Sequence, residues 1–237
     1  MDTFSKEQEI LDAAKKNLQN SKDGSPFEIS LYEELIEEYG SLLHQLKKYK
    51  SGKNVKRNYT KDGDLLNKVE FDMLTGLYSK KYLHENLEII LDKMVHKGDA
   101  LSLIKIDIDF FRSYNDIYGS NAGDDCLRYL ADVLKACLFR GNDFIVRYAG
   151  EEFMAVLPTT SEEGAKLVAD RMLEEIYHLK IPHTGNTISG YLTVSMGIVT
   201  CDEKLPEHSS DDFFSRADEA LIRARNRGRS QYAHISL

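Results

Sequence analysis

The chain has 237 residues, 42% of them hydrophobic and 30% charged, with a formal net charge of −8. That is enough for one sizeable core plus an appendage, and it does not indicate a disordered chain. No apolar run reaches membrane-spanning length, and the acidic balance argues against nucleic acid as a partner.

In chain order, residues 4–18 and 30–49 read as two helices parted by a Ser-Lys-Asp-Gly-Ser-Pro turn at 21–26. In the second, Leu31, Leu35, Tyr39, Leu42, Leu46 and Tyr49 recur every three or four residues, an apolar stripe that must be buried. Its partner is the first helix, a second subunit, or both. Residues 50–61 form a basic linker, so the chain divides into a helical regulatory or dimerisation region at 1–68 and a second domain at 69–237. In that domain, helices near 79–96, 122–138, 161–178 and 210–226 alternate with strands at 101–107, 144–148, 153–157 and 191–200. The pattern is α/β with an antiparallel hairpin. The first residues lack the apolar segment of a signal peptide, and Cys126, Cys137 and Cys201 are odd in number and scattered. A cytoplasmic location with reduced, mostly buried thiols is expected, without a zinc site.

Chemistry concentrates at the hairpin, where two apolar runs enclose Ala149-Gly150-Glu151-Glu152. A turn built for stability alone favours Asn-Gly or Asp-Gly, so adjacent glutamates point to a nearby cation; a solvated acidic turn is the plain alternative. The apolar run beginning at Leu101 ends in Asp107 and Asp109. Residues two apart on a strand share a face, although Asp109 is expected to cap the helix that follows. Carboxylates about 4 Å apart repel by roughly 4 kcal/mol at an effective dielectric near 20, so Asp107 beside Glu151 or Glu152 calls for a metal. Oxygen donors of this kind suit Mg²⁺ or Mn²⁺. The basic run 223–229 ends a helix whose dipole favours cations, and phosphate contacts explain it better than nucleic acid does.

Five fragments stand in register: Asp72-Met73-Leu74-Thr75-Gly76-Leu77-Tyr78, Asp107-Ile108-Asp109-Phe110-Phe111-Arg112, Asn115-Asp116, Gly123-Asp124 and Ala149-Gly150-Glu151-Glu152-Phe153. Together with Ala217-Asp218-Glu219-Ala220-Leu221 and the stretch from Arg225 to Arg229, they give residues 69–237 a resemblance to the GGDEF family of diguanylate cyclases. The resemblance implies a central sheet flanked by helices, related to the palm of nucleotidyl cyclases and polymerases. It also implies condensation of two GTP into cyclic di-GMP and two pyrophosphates across a homodimer, with Mg²⁺ or Mn²⁺ as cofactor. Asp107, the carbonyl of Ile108 and Glu151 would hold metal, with Glu152 beside them. Phe111, Gly150, Arg112, Arg225 and Arg229 would contact substrate.

Asn115 and Asp124 would read guanine, whose edge offers both acceptors and donors; adenine would leave the carboxylate poorly paired. Arg140 and Asp143, an Arg-x-x-Asp pair, occupy the positions of the family's inhibitory product site. Ala149 stands where the family has its first glycine, and Arg112 and Arg225 stand where it usually has lysine. The other reading is a silent receptor that binds cyclic di-GMP or GTP.

Overall fold

The computed structural model describes residues 70–97, 99–201 and 209–237. The two helices, the apolar stripe and the linker expected in 1–68 lie outside the described residues. Within them the order is β1 (Tyr78–Ser79), α1 (Lys80–Lys97), β2 (Leu101–Ile108), α2 (Phe111–Tyr118), α3 (Ser120–Ala136), β3 (Phe144–Ala149), β4 (Glu152–Pro158), α4 (Glu162–His178), β5 (Val194–Cys201), α5 (Ser210–Asn226) and β6 (Tyr232–Ser236). The strands form a sheet in the order β1-β3-β4-β2-β5-β6.

Strand β2 sits inside the sheet, between β4 and β5, because all eight of its residues find burial. On one face Ile104, Ile106 and Ile108 join Leu130 and Leu134 of α3 and Met172 of α4. On the other, Leu101 and Leu103 pack with Leu83 and Leu87 of α1 and Phe213 of α5. This second face then changes character. By strand alternation the residues after Leu103 on it are Lys105 and Asp107, and the apolar core gives way to charge at the end of the strand.

The α/β reading holds, with helices on both faces of the sheet. The helix ends follow local chemistry. Ser161 caps α4 by accepting from the Gly164 amide, and α5 opens with a capping box between Ser209 and Asp212. The strand expected at 191–200 begins only at Val194; before it, Tyr191 forms an isolated bridge with Pro182. Helix α3 starts at Ser120, two residues earlier than expected. Cys126 and Cys137 are buried, and burial pushes the Cys126 thiol up to about 12. No helix among the described residues is long and apolar enough to cross a membrane.

Candidate active site

The register of β2 against β4 pairs Asp107 with Glu152, so the strand that ends in acid meets the glutamate hairpin at its tip. Two residues, Gly150 and Glu151, connect β3 to β4. Gly150 takes φ 38°, a left-handed conformation that a side chain would strain. Ala149 does not need it: it ends β3 paired with Glu152 and has no positive φ, so the methyl group is tolerated. The turn is braced from below by Arg147, whose Nε donates to the Gly150 carbonyl (2.9 Å) and whose Nη1 reaches Asp72 (3.1 Å). Asp72 in turn accepts from the amide and hydroxyl of Thr75 (2.9 and 2.7 Å). The Asp-Met-Leu-Thr-Gly motif is thus a self-locked turn anchoring the hairpin.

Asp107 is 5% exposed and forms a salt bridge with Arg225 of α5. Burial, aided by the nearby Glu151 and Glu152, raises its carboxyl to about 6 despite that arginine. Burial therefore outweighs the guanidinium that already stands on the carboxylate. Among the described residues no group of three His, Cys, Asp or Glu side chains is spaced to hold a metal. Carboxylates supplemented by a main-chain carbonyl are the donor type that a hard cation takes.

Asp109 departs from expectation. The N-cap of α2 is Phe110, in the left-handed region at φ 58°, and no side chain caps the helix. Asp109 turns inward instead, 1% exposed, and accepts from Thr193 Oγ1 (2.9 Å), Ser195 Oγ (2.7 Å) and the Ser230 amide (3.2 Å). Three tertiary donors outweigh one local cap. The carboxylate thereby ties the turn after α5 to the end of β2. In that turn Arg229 lies with its guanidinium 4.9 Å from the Phe110 ring centroid.

Helices α2 and α3 form the neighbouring wall. Phe111 is buried and Arg112, beside it, is exposed. Asn115 presses on Gly123: a Cβ at Gly123 would come within 1.8 Å of Asn115 Oδ1 and 3.3 Å of the Phe111 ring. Only glycine permits that approach. Asn115 Oδ1 is buried without a hydrogen-bond partner, an unmet polar group that a bound molecule would satisfy. Asp124 is the next residue along α3 and is partly buried.

Arg140 and Asp143 lie elsewhere, before the start of β3, whereas the glutamates follow its end. Six residues of strand separate the two places by roughly 20 Å. Arg140 Nη1 donates to the Thr159 carbonyl (3.0 Å) and to Thr160 Oγ1 (2.9 Å). Asp143 Oδ1 is buried and unpartnered, and burial raises its carboxyl even with Arg140 nearby. A cavity of about 720 Å³ opens beside Asp143, lined also by Tyr78, Tyr82, Lys93 and Lys135.

Lys105 is a site residue that the sequence alone does not single out. It is 5% exposed, with Nζ 3.4 Å from Glu152 and in a salt bridge with Asp218 of α5. The signal is a lysine flanked by Ile104 and Ile106 in a largely apolar strand, two residues before Asp107 on the same face.

Comparison with known proteins places residues 69–231 in a family. The family described as "Diguanylate cyclase, GGDEF domain" matches residues 69–231. Diguanylate cyclase A of Treponema denticola is 35% identical over 174 residues, 72% of this chain and 45% of that protein. Diguanylate cyclase DgcP of Pseudomonas aeruginosa is 36% identical over 168 residues, 71% of this chain and 24% of that protein. The chain therefore spans less than half the length of these curated relatives. Among solved structures, the GGDEF domain of DgcB from Caulobacter crescentus in complex with c-di-GMP superposes with a TM-score of 0.63 at 27% identity, covering 70% of this chain and 95% of that one. Diguanylate cyclase SiaD of Pseudomonas aeruginosa, in complex with its activator SiaC, gives 0.61 at 25% identity over 98% of this chain and 87% of its own. With its self-locked Asp72 turn, its glutamate hairpin against Asp107 and the family match across residues 69–231, this chain belongs to the GGDEF, or diguanylate cyclase, family.

Proposed function

We propose that this protein is a diguanylate cyclase that joins two GTP into cyclic di-GMP and releases two pyrophosphates. The observation that carries the reading is Asp107, buried opposite Glu152 and beside Glu151, with its carboxyl raised by burial despite the Arg225 guanidinium. Mg²⁺ or Mn²⁺ held by Asp107, Glu151 and the Ile108 carbonyl would neutralise phosphate charge and activate the attacking 3′-hydroxyl. Glu152 lies beside that group.

The remaining work falls to this chain's own side chains. Arg225 pairs with Asp107, and triphosphate would draw its guanidinium away, exchanging one anion for another. Arg229 and Arg112 add phosphate contacts, and Gly150 admits the nucleotide close to the turn. Asn115 and Asp124 take the guanine edge, with Phe111 beneath them. The unpartnered Asn115 Oδ1 supports this assignment, because a buried acceptor without a partner is costly unless ligand supplies one.

One domain presents one GTP, so catalysis needs two domains face to face, in a homodimer arranged by residues 1–68. The similarity to SiaD, solved in complex with its activator SiaC, supports regulation of this protein by a partner. Arg140 and Asp143 form the product site. The cavity beside Asp143, with Lys93 and Lys135 on its wall, supplies volume and positive charge for a dianionic dinucleotide.

The test is incubation of nucleotide-stripped protein with GTP and Mg²⁺ and chromatography for cyclic di-GMP, with Glu151→Gln as control. Product from wild type alone is the expected result. No product with either Mg²⁺ or Mn²⁺, at concentrations that favour dimers, would sink the cyclase reading and leave a nucleotide receptor.

A further inference from the structure

The face of β2 that carries the acidic site also carries a buried lysine, and buried lysines need a reason. Lys105 lies 5% exposed between the last apolar residue of that face, Leu103, and Asp107. An apolar side chain at 105 would simply continue the core formed by Leu101, Leu103, Met154 and Phe213. Lysine costs desolvation there unless its ammonium is fully engaged. It is engaged on three sides: Glu152 at 3.4 Å, the Asp218 carboxylate, and the Tyr148 ring with its centroid 5.0 Å away. Burial opposes the charge, but hydrogen bonds to Asp218 and the nearby Glu152 more than compensate, so the ammonium is held charged.

The two carboxylates come from different elements. Glu152 opens β4 directly opposite Asp107, and Asp218 stands on α5, seven residues before Arg225. We propose that Lys105 is a positioning residue: its ammonium draws Glu152 away from Asp107 and locks the glutamate hairpin to the helix that bears Arg225. The role rests on the cyclase reading for its catalytic consequence. Its electrostatic core is independent of turnover. Glu151, Glu152 and Asp107 crowd three negative charges into one turn and one strand end, and Lys105 cancels the one opposite Asp107. Glu152 is then oriented and partly neutralised before any cation arrives.

The consequence is readable in divalent-cation binding by the nucleotide-free protein. Lys105→Met keeps the volume and apolar stem while removing the charge. It frees Glu152 to face Asp107, so Mn²⁺ measured by electron paramagnetic resonance should bind about tenfold more tightly than to wild type. In a Glu152→Gln background the same substitution should change Mn²⁺ affinity less than about twofold, because the charge that Lys105 restrains is gone. With GTP, Lys105→Met should lower kcat at saturating Mg²⁺ by about tenfold or more and leave KM within about twofold, the mark of a misplaced group rather than a lost contact.

Asp218→Asn is the second variant, since it spares the buried cation and guards against misfolding of the first. It should shift Mn²⁺ affinity in the opposite direction, because Lys105 then attends to Glu152 alone. Equal Mn²⁺ affinity in wild type and Lys105→Met, both folded by circular dichroism, overturns the Lys105 proposal while leaving the cyclase reading intact. Absence of any Glu151-dependent Mn²⁺ binding in wild type overturns both.

Discussion

Single residues decide whether the proposed site could select guanine and hold a cation. Gly123 is a sharp instance, since a methyl group there would strike Asn115 Oδ1 at 1.8 Å. Gly123→Ala should push the Asn115 side chain from its place, raising KM for GTP about tenfold or more with a small change in thermal stability. Unchanged KM would show that Asn115 does not read the base. Asp107 sets a pH dependence. Its carboxyl lies at about 6, above the ordinary 3.8, so the folded state binds its proton more tightly than the unfolded chain does. This contribution to stability is fully present below 3.8 and is lost as pH rises through about 6. A cation must displace the same proton. Mn²⁺ affinity should therefore be flat above pH 7 and fall by up to about tenfold per unit below the Asp107 pKa, and Asp107→Asn should abolish the pH dependence together with the binding. A profile that stays level down to pH 5 would remove Asp107 from the ligand set.

At the scale of elements, the hairpin and its supports work as one piece. Asp72 joins Thr75 to Arg147, and Arg147 holds the turn carbonyl of Gly150. Asp72→Ala breaks a partly buried ion pair and the turn's own hydrogen bonds together, and should cost about 2 kcal/mol in urea unfolding. Strands β2, β3 and β4 were legible because stretches of five to eight largely apolar residues end in turn chemistry. So was α5, whose capping box is local. Strand β1 has only two residues and pairs with β3 across more than sixty residues of chain, so no window of sequence reveals it. Strand β6 follows Arg229 and Ser230, both with positive φ, and its pairing with β5 is likewise long-range. Asp109 shows the same limit at one side chain. Its neighbours in sequence suggest a helix cap, while its partners Thr193, Ser195 and Ser230 are contributed by chain more than eighty residues away. The acidic hairpin and Asp107 were legible as chemistry, whereas their brace, Lys105, is explained only by the partners that the fold brings to it.

For the whole molecule, the two proposed sites stand at opposite ends of β3, roughly 20 Å apart by strand rise. Product bound at Arg140 and Asp143 can slow catalysis only by favouring an arrangement of domains in which two nucleotides do not meet. Arg140→Ala should raise the cyclic di-GMP concentration that halves turnover by at least about tenfold, with the initial rate unchanged. Inhibition at the wild-type concentration would place the product elsewhere. Removal of residues 1–62 should weaken dimerisation and lower turnover per chain, checked by light scattering and by activity against protein concentration. The same mass and turnover in the shortened protein would assign those residues another task.

Cys126 offers a use unrelated to catalysis. It is buried on α3 two residues beyond Asp124, and its thiol is held up to about 12. A thiol so shielded reacts with a disulfide reagent only when its surroundings open. Its labelling rate is therefore a built-in clock for the breathing of the wall that α2 and α3 form. GTP that bridges Asn115 and Asp124 should slow that clock, before a single bond to phosphorus has been made or broken.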